Sequence, residues 1–405
     1  MKLFQSADIL LPDLEDFSNW AVVACDQYSS APEYWNEIYE NVKEQPSTLH
    51  MILPEAWLNT PKEKEHQDKI EATMRQYLDA QVFKTFPDSF IYVERTLTDG
   101  SIRKGLVGAV NLDAYDYHCP SDAPIRATEA TILERIPPRA AIRSKATIEF
   151  PHILLLQNDA QDRIFEGLAS IADSLPVVYD FDLMAHGGHI IGRLVAGEAK
   201  AQTEAWIEAY ENSVRERGEN LFYAIGDGNH SLAAAKSVWM DRDHDDPTQA
   251  PSRFALAELE NLQDDAQKFE PIHRILKNVD VNDLLASFDN PSLDDGYDID
   301  WISGENRGMI RLDASLSPLP LAVLQNHLDA YLAEHEGEID YIHGEKDLED
   351  LAAKDNSIGF FLPAIDKDSF FEAIQSDGSL PRKTFSMGHA HEKRYYLEGR
   401  KLFED

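Results

Sequence analysis

The chain is 405 residues long and carries 37 Lys and Arg against 73 Asp and Glu, a formal charge of −36. That balance argues against nucleic acid as a partner of the whole molecule. Hydrophobic residues make up 43% and charged residues 27%, ordinary globular usage that excludes disorder as the main state, and the length suits about two or three folding units.

The opening MKLFQSADILLPDLEDF has one Lys and an apolar patch cut by Pro12 and Asp13, which does not read as a signal peptide. No apolar run nears the ~18–20 residues that span a bilayer. Cys25 and Cys119 lack Cys-x-x-Cys spacing, so neither a redox pair nor a disulfide scaffold is expected, and Cys25 reads as a structural thiol. The expectation is a soluble cytoplasmic protein with no membrane partner.

Short β-rich runs alternate with helical patterns. WAVVACD (20–26) precedes a helix near Pro32, and Pro61 opens a charged helix through about Tyr77 with Ile70, Met74 and Tyr77 at helical spacing. IYVERTL (91–97) and RKGLVGAVNL (103–112) flank Asp99-Gly100, a strong hairpin signal. ILLLQ, VVYDF, HIIGRLVAG and LFYAI read as strands, with helices near 161–173, 198–217 and 231–240. The acidic DRDHDDPTQAPS (241–252) reads as a loop. After about 278 come GMIRL, a helix near 319–335, EIDYI, a helix near 345–354, IGFFL and a helix near 366–375. The fold expected is α/β with α+β character: a mixed sheet in a core domain, 1–276, and a smaller α/β domain, 277–405.

The sharpest local feature is LFYAIGDGNHSLAAAKSVWM (221–240). A strand feeds Gly226-Asp227-Gly228-Asn229-His230-Ser231 and then an alanine-rich helix, the order of an anion site, in which glycines permit positive φ and helix N–H groups meet negative charge. Asp227 could orient a hydroxyl or hold a divalent metal, and His230 could meet the anion or carry a proton. The competing reading is a tight turn whose Asn229 or Ser231 merely caps the helix. A second feature reverses the global sign: Arg126, Arg135, Arg139, Arg143 and Lys145 stand against Glu129 and Glu134, and guanidinium forks suit phosphate or carboxylate.

Other constellations carry less. His186-Gly-Gly-His189 and His389-Ala-His391 lack the surroundings of a zinc site, and the acidic run 241–246 lacks the Gly and distal Glu of a calcium loop, so no metal-ligating residue is assigned. In Pro271-Ile-His273-Arg274 two polar groups sit in an apolar context, facing either the same cleft or the first turn of a helix.

Taken in order, YVERTLTDGSIRKGLVGAVNLDAYD, Arg126-x-x-Glu129-x-Thr131, Gly-Asp-Gly-Asn-His, PIHRIL (271–276) and LPRK (380–383) resemble the domain-of-unknown-function 1015 family across nearly the whole chain. The loop of that family commonly reads Asp-Gly-His-His-Arg. It is similar to the phosphate-binding motif of the ParB and sulfiredoxin superfamily, which includes free serine kinases and nucleotide-dependent ParB proteins. Asp227, Gly228 and His230 match by position, whereas Asn229 replaces the first histidine and Ser231 the arginine, so the loop lacks its cation. Lys236 or an arginine of 126–145 is the candidate replacement.

The resemblance implies a nucleotide-dependent phosphotransferase acting on a small hydroxylated metabolite, with a nucleotide and Mg²⁺ as cofactors. Catalytic residues would be Glu129, Asp227 and His230. The ligand-binding set would be Arg126, Thr131, Gly226, Gly228, Asn229, Ser231, Lys236, His273 and Arg274. The alternative is a non-catalytic protein that binds a small phosphorylated or carboxylated ligand.

Overall fold

The computed structural model describes all residues except 1, 26–27, 29–30, 44, 58–59, 289–295, 379, 382 and 405. The chain forms two compact units. The first comprises Met1–Ala127, Thr131–Gln267 and His389–Asp405, and the second comprises Thr128–Ala130 and Lys268–Gly388.

The first unit is built on a mixed sheet, as the alternation of strand and helix patterns implies. Ile102–Asn111 pairs antiparallel with Phe83–Thr96 on one side and Phe254–Asn261 on the other. The sheet continues parallel into Leu154–Gln157, antiparallel into Tyr223–Asp227 and parallel into Ile125–Arg126. The Asp99-Gly100 hairpin forms, with Gly100 at φ +84 and Ser101 N–H donating to Asp99 Oδ1 at 2.9 Å. Helices cover both faces. Arg163–Ile171 and Gly197–Glu216 bury Phe165, Leu168, Ile207 and Tyr210 against Tyr92, Leu106, Leu155 and Leu259. On the opposite face Pro61–Asp79 turns Ile70, Met74 and Tyr77 into a core with Ile91, Val93 and Val107. The end of the chain returns to this unit, where Gly399–Lys401 pairs antiparallel with both Ala7–Pro12 and Ile148–Glu149.

In the second unit an antiparallel sheet runs Asn306–Asp313, Gly296–Ser303, Ser357–Phe361, Phe269–Lys277, Glu338–His343. The helix Pro320–Glu334 packs Leu321, Leu324 and Leu328 onto Leu276, Ile299, Ile358 and Phe360. Glu129 bridges to Leu380 at its margin, and Leu380 N–H donates to Thr128 O at 2.8 Å.

Two local expectations change, and one open reading is decided. WAVVACD is no strand: only Val22 bridges, to Tyr396, because Trp20 to Cys25 are buried on every side rather than on alternate ones; Asp26 lies outside the described residues. Of the two readings open for PIHRIL the helix start is not formed, since Phe269–Lys277 is a strand paired on both edges. The loop after Met240 closes into the 3₁₀ turns Pro247–Arg253, capped by Asp246 accepting from Thr248 N–H. Among the described residues no helix is long and apolar enough to cross a membrane.

Candidate functional site

The strand Tyr223–Asp227 lies between Ile125–Arg126 and Leu154–Gln157, so Tyr223, Ala224 and Ile225 are fully buried. Its register slips between Ile225 and Asp227. Strict alternation would put Asp227 on the face of buried Ile225; the bulge at Gly226 breaks it and re-aims the carboxylate. Asp227 is half-buried, and its Oδ1 accepts the Gly228 N–H at 2.8 Å.

Gly228 then turns the chain at φ +85. A β-carbon there would stand 3.1 Å from both Cα and Cγ1 of Ile153, so this glycine meets both a backbone sign and a close approach that other residues resist. Leu232 N–H donates to Gly228 O at 3.0 Å, closing the first turn of the helix Asn229–Met240. Ala233, Ala234 and Ala235 are all buried. Their small side chains let Ile136 of the helix Ile136–Arg143 pack on Ala233 and Ala234, while Ala235 and Trp239 join the main core. The first N–H groups of a helix have no partner within it, and those of Asn229, His230 and Ser231 head a buried helix beside Asp227.

Groups that the motif did not name surround Asp227. Lys393 places its ammonium 3.6 Å from Asp227 Oδ2. His152 lies against the Tyr396 ring, tilted by 38° with centroids 4.8 Å apart. Burial pushes the His152 imidazole down to about 4, with Arg139, Arg394 and Lys393 lowering it further and Asp227 opposing them, so this ring is neutral at physiological pH. The neighbouring Arg394 is fully enclosed, its Nε donating to Glu258 at 2.9 Å and its Nη2 to Glu398 at 2.7 Å, with Nη1 on Pro151 O. None of these was singled out from the sequence. Lys393 and Arg394 sit more than 160 positions from the loop, and no local pattern reports that distance.

The expected residues divide. Gly226, Asp227, Gly228, Asn229, His230 and Ser231 form one continuous turn, and the Ile132 N–H donates to His230 Nε2 at 3.2 Å, which brings Thr131 beside it and fixes Nε2 as an acceptor. The Thr131 Oγ1 is buried without a hydrogen-bond partner among the described residues. Arg126, expected in the ligand-binding set, is buried. It is 4% exposed, its Nε donating to Ala123 O at 2.9 Å and its Nη2 to Asn220 Oδ1 at 2.5 Å, both outside the loop. Lys236 donates to Leu112 O at 2.8 Å, and Arg143 is spent on Glu149 and Phe254 O.

Glu129, His273 and Arg274 belong to the second unit. There His273 Nδ1 accepts the Leu362 N–H at 3.1 Å. Arg274 donates to Gln325 Oε1 at 2.7 Å, Ile272 O at 2.6 Å and Lys383 O at 3.0 Å, and lies 4.6 Å from the Tyr341 ring centre. Adjacent residues of a strand face opposite sides of the sheet, so these two do not share one cleft. The carboxylate of Glu129 acts on the Arg274 guanidinium; Arg382 of the LPRK motif lies outside the described residues.

Among solved structures, a free serine kinase mutant in complex with ADP is similar to this chain with TM-score 0.39 and 13% identity, over 73% of this chain and 91% of that one. A conserved hypothetical protein from Pyrococcus furiosus gives 0.34 and 13% over 73% and 94%. SbnI with C-terminal truncation from Staphylococcus aureus gives 0.36 and 9% over 72% and 82%. Likeness this slight carries no argument about ligand or chemistry. No curated protein matches the chain. The model of one family does match, along residues 9–401, and with nearly the whole sequence covered the chain belongs to that family, the proteins of unknown function DUF1015.

Proposed function

We propose that this protein binds a nucleotide phosphate at Gly226–Ser231 and transfers a phosphoryl group to a small hydroxylated metabolite in the cytoplasm. The observation that carries the reading is the left-handed Gly228, which sets the N–H groups of a 12-residue helix beside a half-buried carboxylate, Asp227. Fixed donors aimed at phosphate oxygens stabilise the charge that develops in phosphoryl transfer, and a carboxylate beside them orients the acceptor hydroxyl. Neither Cys25, which is buried, nor Cys119, which is exposed, is in a disulfide among the described residues, in keeping with a reducing setting.

For Mg²⁺ the donor set is small. Among the described residues no three His, Cys, Asp or Glu side chains gather as a metal cage. Mg²⁺ that arrives with a nucleotide needs only one or two carboxylates besides the phosphates, and Asp227 Oδ2 would serve; the ion would supply neutralisation of phosphate charge.

One observation favours the alternative of a non-catalytic binding protein: His230 Nε2 is engaged by the Ile132 N–H, which leaves that nitrogen no lone pair with which to accept a proton. Incubation with ATP, Mg²⁺ and a panel of amino acids and sugars, followed by ³¹P NMR, separates the two. Turnover that is lost in a folded Asp227→Ala variant supports the transferase. Nucleotide binding without turnover supports the binding protein, and an Asp227→Ala variant with full activity removes Asp227 from the chemistry.

A further inference from the structure

We infer that Lys393 is the cation of the anion site at Gly226–Ser231, taking a phosphate oxygen together with the helix N–H groups, and that Arg95 is the residue that positions it. The inference rests on the reading of that loop as a phosphate site.

Lys393 is 9% exposed, and its ammonium meets Asp227 Oδ2 at 3.6 Å, too far for a hydrogen bond. Its Nζ makes no hydrogen bond among the described residues. An ammonium has three donors, and an ion pair held at this distance uses none of them in a hydrogen bond. A lysine serving only to pair with Asp227 would close to about 2.8 Å, as charge-assisted bonds do. Lys393 instead stands off, at the distance that admits a further oxygen. A phosphate has oxygens enough for the ammonium and for the helix N–H groups at once. The cation missing from the loop at Ser231 is thus replaced from the far end of the sequence.

Its neighbours account for the placement. The Arg95 guanidinium is 3% exposed, and it spends its donors on main-chain carbonyls of two segments. Nε and Nη2 donate to Gly187 O at 2.9 and 2.8 Å, Nη2 also to His391 O at 2.5 Å, and Nη1 to Glu392 O at 3.0 Å and Lys393 O at 2.9 Å. The Tyr395 ring centre lies 5.0 Å from the guanidinium carbon. A planar fork with five N–H groups can hold three successive carbonyls in one turn; a lysine, with one nitrogen, cannot. Arg95 therefore sets the backbone from which Lys393 reaches Asp227.

The test is calorimetric titration of the full chain with inorganic phosphate and, separately, with ADP. Lys393→Ala should weaken phosphate at least about tenfold, as loss of a charge-assisted hydrogen bond implies. Lys393→Arg should keep most of the affinity. Asp227→Asn should tighten phosphate severalfold, because it removes a repelling carboxylate and frees the ammonium. Arg95→Lys should weaken phosphate in the wild-type background and add nothing in the Lys393→Ala background, a coupling that general loss of stability does not produce. If the wild type binds phosphate or ADP and Lys393→Ala matches it within twofold, the role of Lys393 is refuted while the loop remains an anion site. If the wild type binds neither at millimolar concentration, both fall. Should Lys393→Ala fail to fold, acetylation of the wild-type protein read by mass spectrometry decides instead: phosphate slows modification of Lys393 if the inference holds, and an unchanged rate overturns it.

Discussion

Gly228→Ala and Gly100→Ala form a matched pair. Both glycines hold the same left-handed backbone, φ +85 and +84, and both lie in the first unit. A side chain in that region costs about 1–2 kcal/mol, while the unfolded chain loses freedom worth about 0.4–1 kcal/mol in compensation. Gly100→Ala, with nothing within 4 Å of its new carbon, should therefore destabilise by about 0.5–1 kcal/mol. Gly228→Ala adds two contacts of 3.1 Å, one with the Cα of Ile153, a residue 1% exposed that enters the central strand Leu154–Gln157. Backbone held in a sheet cannot swing aside, and such overpacking costs about 1–3 kcal/mol more. Urea unfolding followed by tryptophan fluorescence reads this unit, since Trp20, Trp35, Trp57, Trp206 and Trp239 lie in it and Trp301 in the other. Gly228→Ala should fall about 1–3 kcal/mol below Gly100→Ala and lose phosphate affinity as Ile153 is displaced beside His152. Two variants within about 0.5 kcal/mol of each other would refute the reasoning about Ile153.

Arg126→Ala should cost about 2 kcal/mol and leave phosphate affinity unchanged by titration, because its guanidinium serves Ala123 O and Asn220. Arg274→Met should lower the stability of the second unit by about 3 kcal/mol, seen as an earlier Trp301 transition, since Gln325, Ile272 O and Lys383 O each lose a buried donor. His189 is held above the usual histidine range by its bond to Asp182, with Asp180 adding to it. A raised folded value means that the bonus is complete below the unfolded pKa of about 6.5 and disappears as pH rises through the folded one. Thermal melts at pH 5.5 and 8.5 should therefore show a small loss at the higher pH that His189→Gln abolishes, modest because the imidazole is exposed.

Where a signal was local, the sequence carried it. The Asp99-Gly100 hairpin, the strand and helix around Gly226–Ser231 and the amphipathic Pro61–Asp79 helix are each encoded within a few residues of where they act. Arg126 shows the limit: its charge is visible in the sequence, but its burial follows from Asn220 lying alongside, a contact 94 positions away that no periodicity reports. The same holds for Lys393, which reads as one more lysine in the sequence and gains meaning only through Asp227. PIHRIL is ambiguous for a different reason, because Pro271 suits a helix start as well as the end of a strand, and the sheet decides between them.

The pairing of Gly399–Lys401 between Ala7–Pro12 and Ile148–Glu149 also sets a schedule for the newborn protein. Synthesis delivers the glycine loop well before Lys393 and Arg394, so until residues 389–401 have left the ribosome the first unit has a gap between two strands and carries Glu258 without its guanidinium. Nascent chains stalled before residue 389 should therefore remain sensitive to protease at Ile148–Glu149, and a bulky insertion directly after Lys401 would interfere with the closing of a sheet whose neighbouring strands were made first.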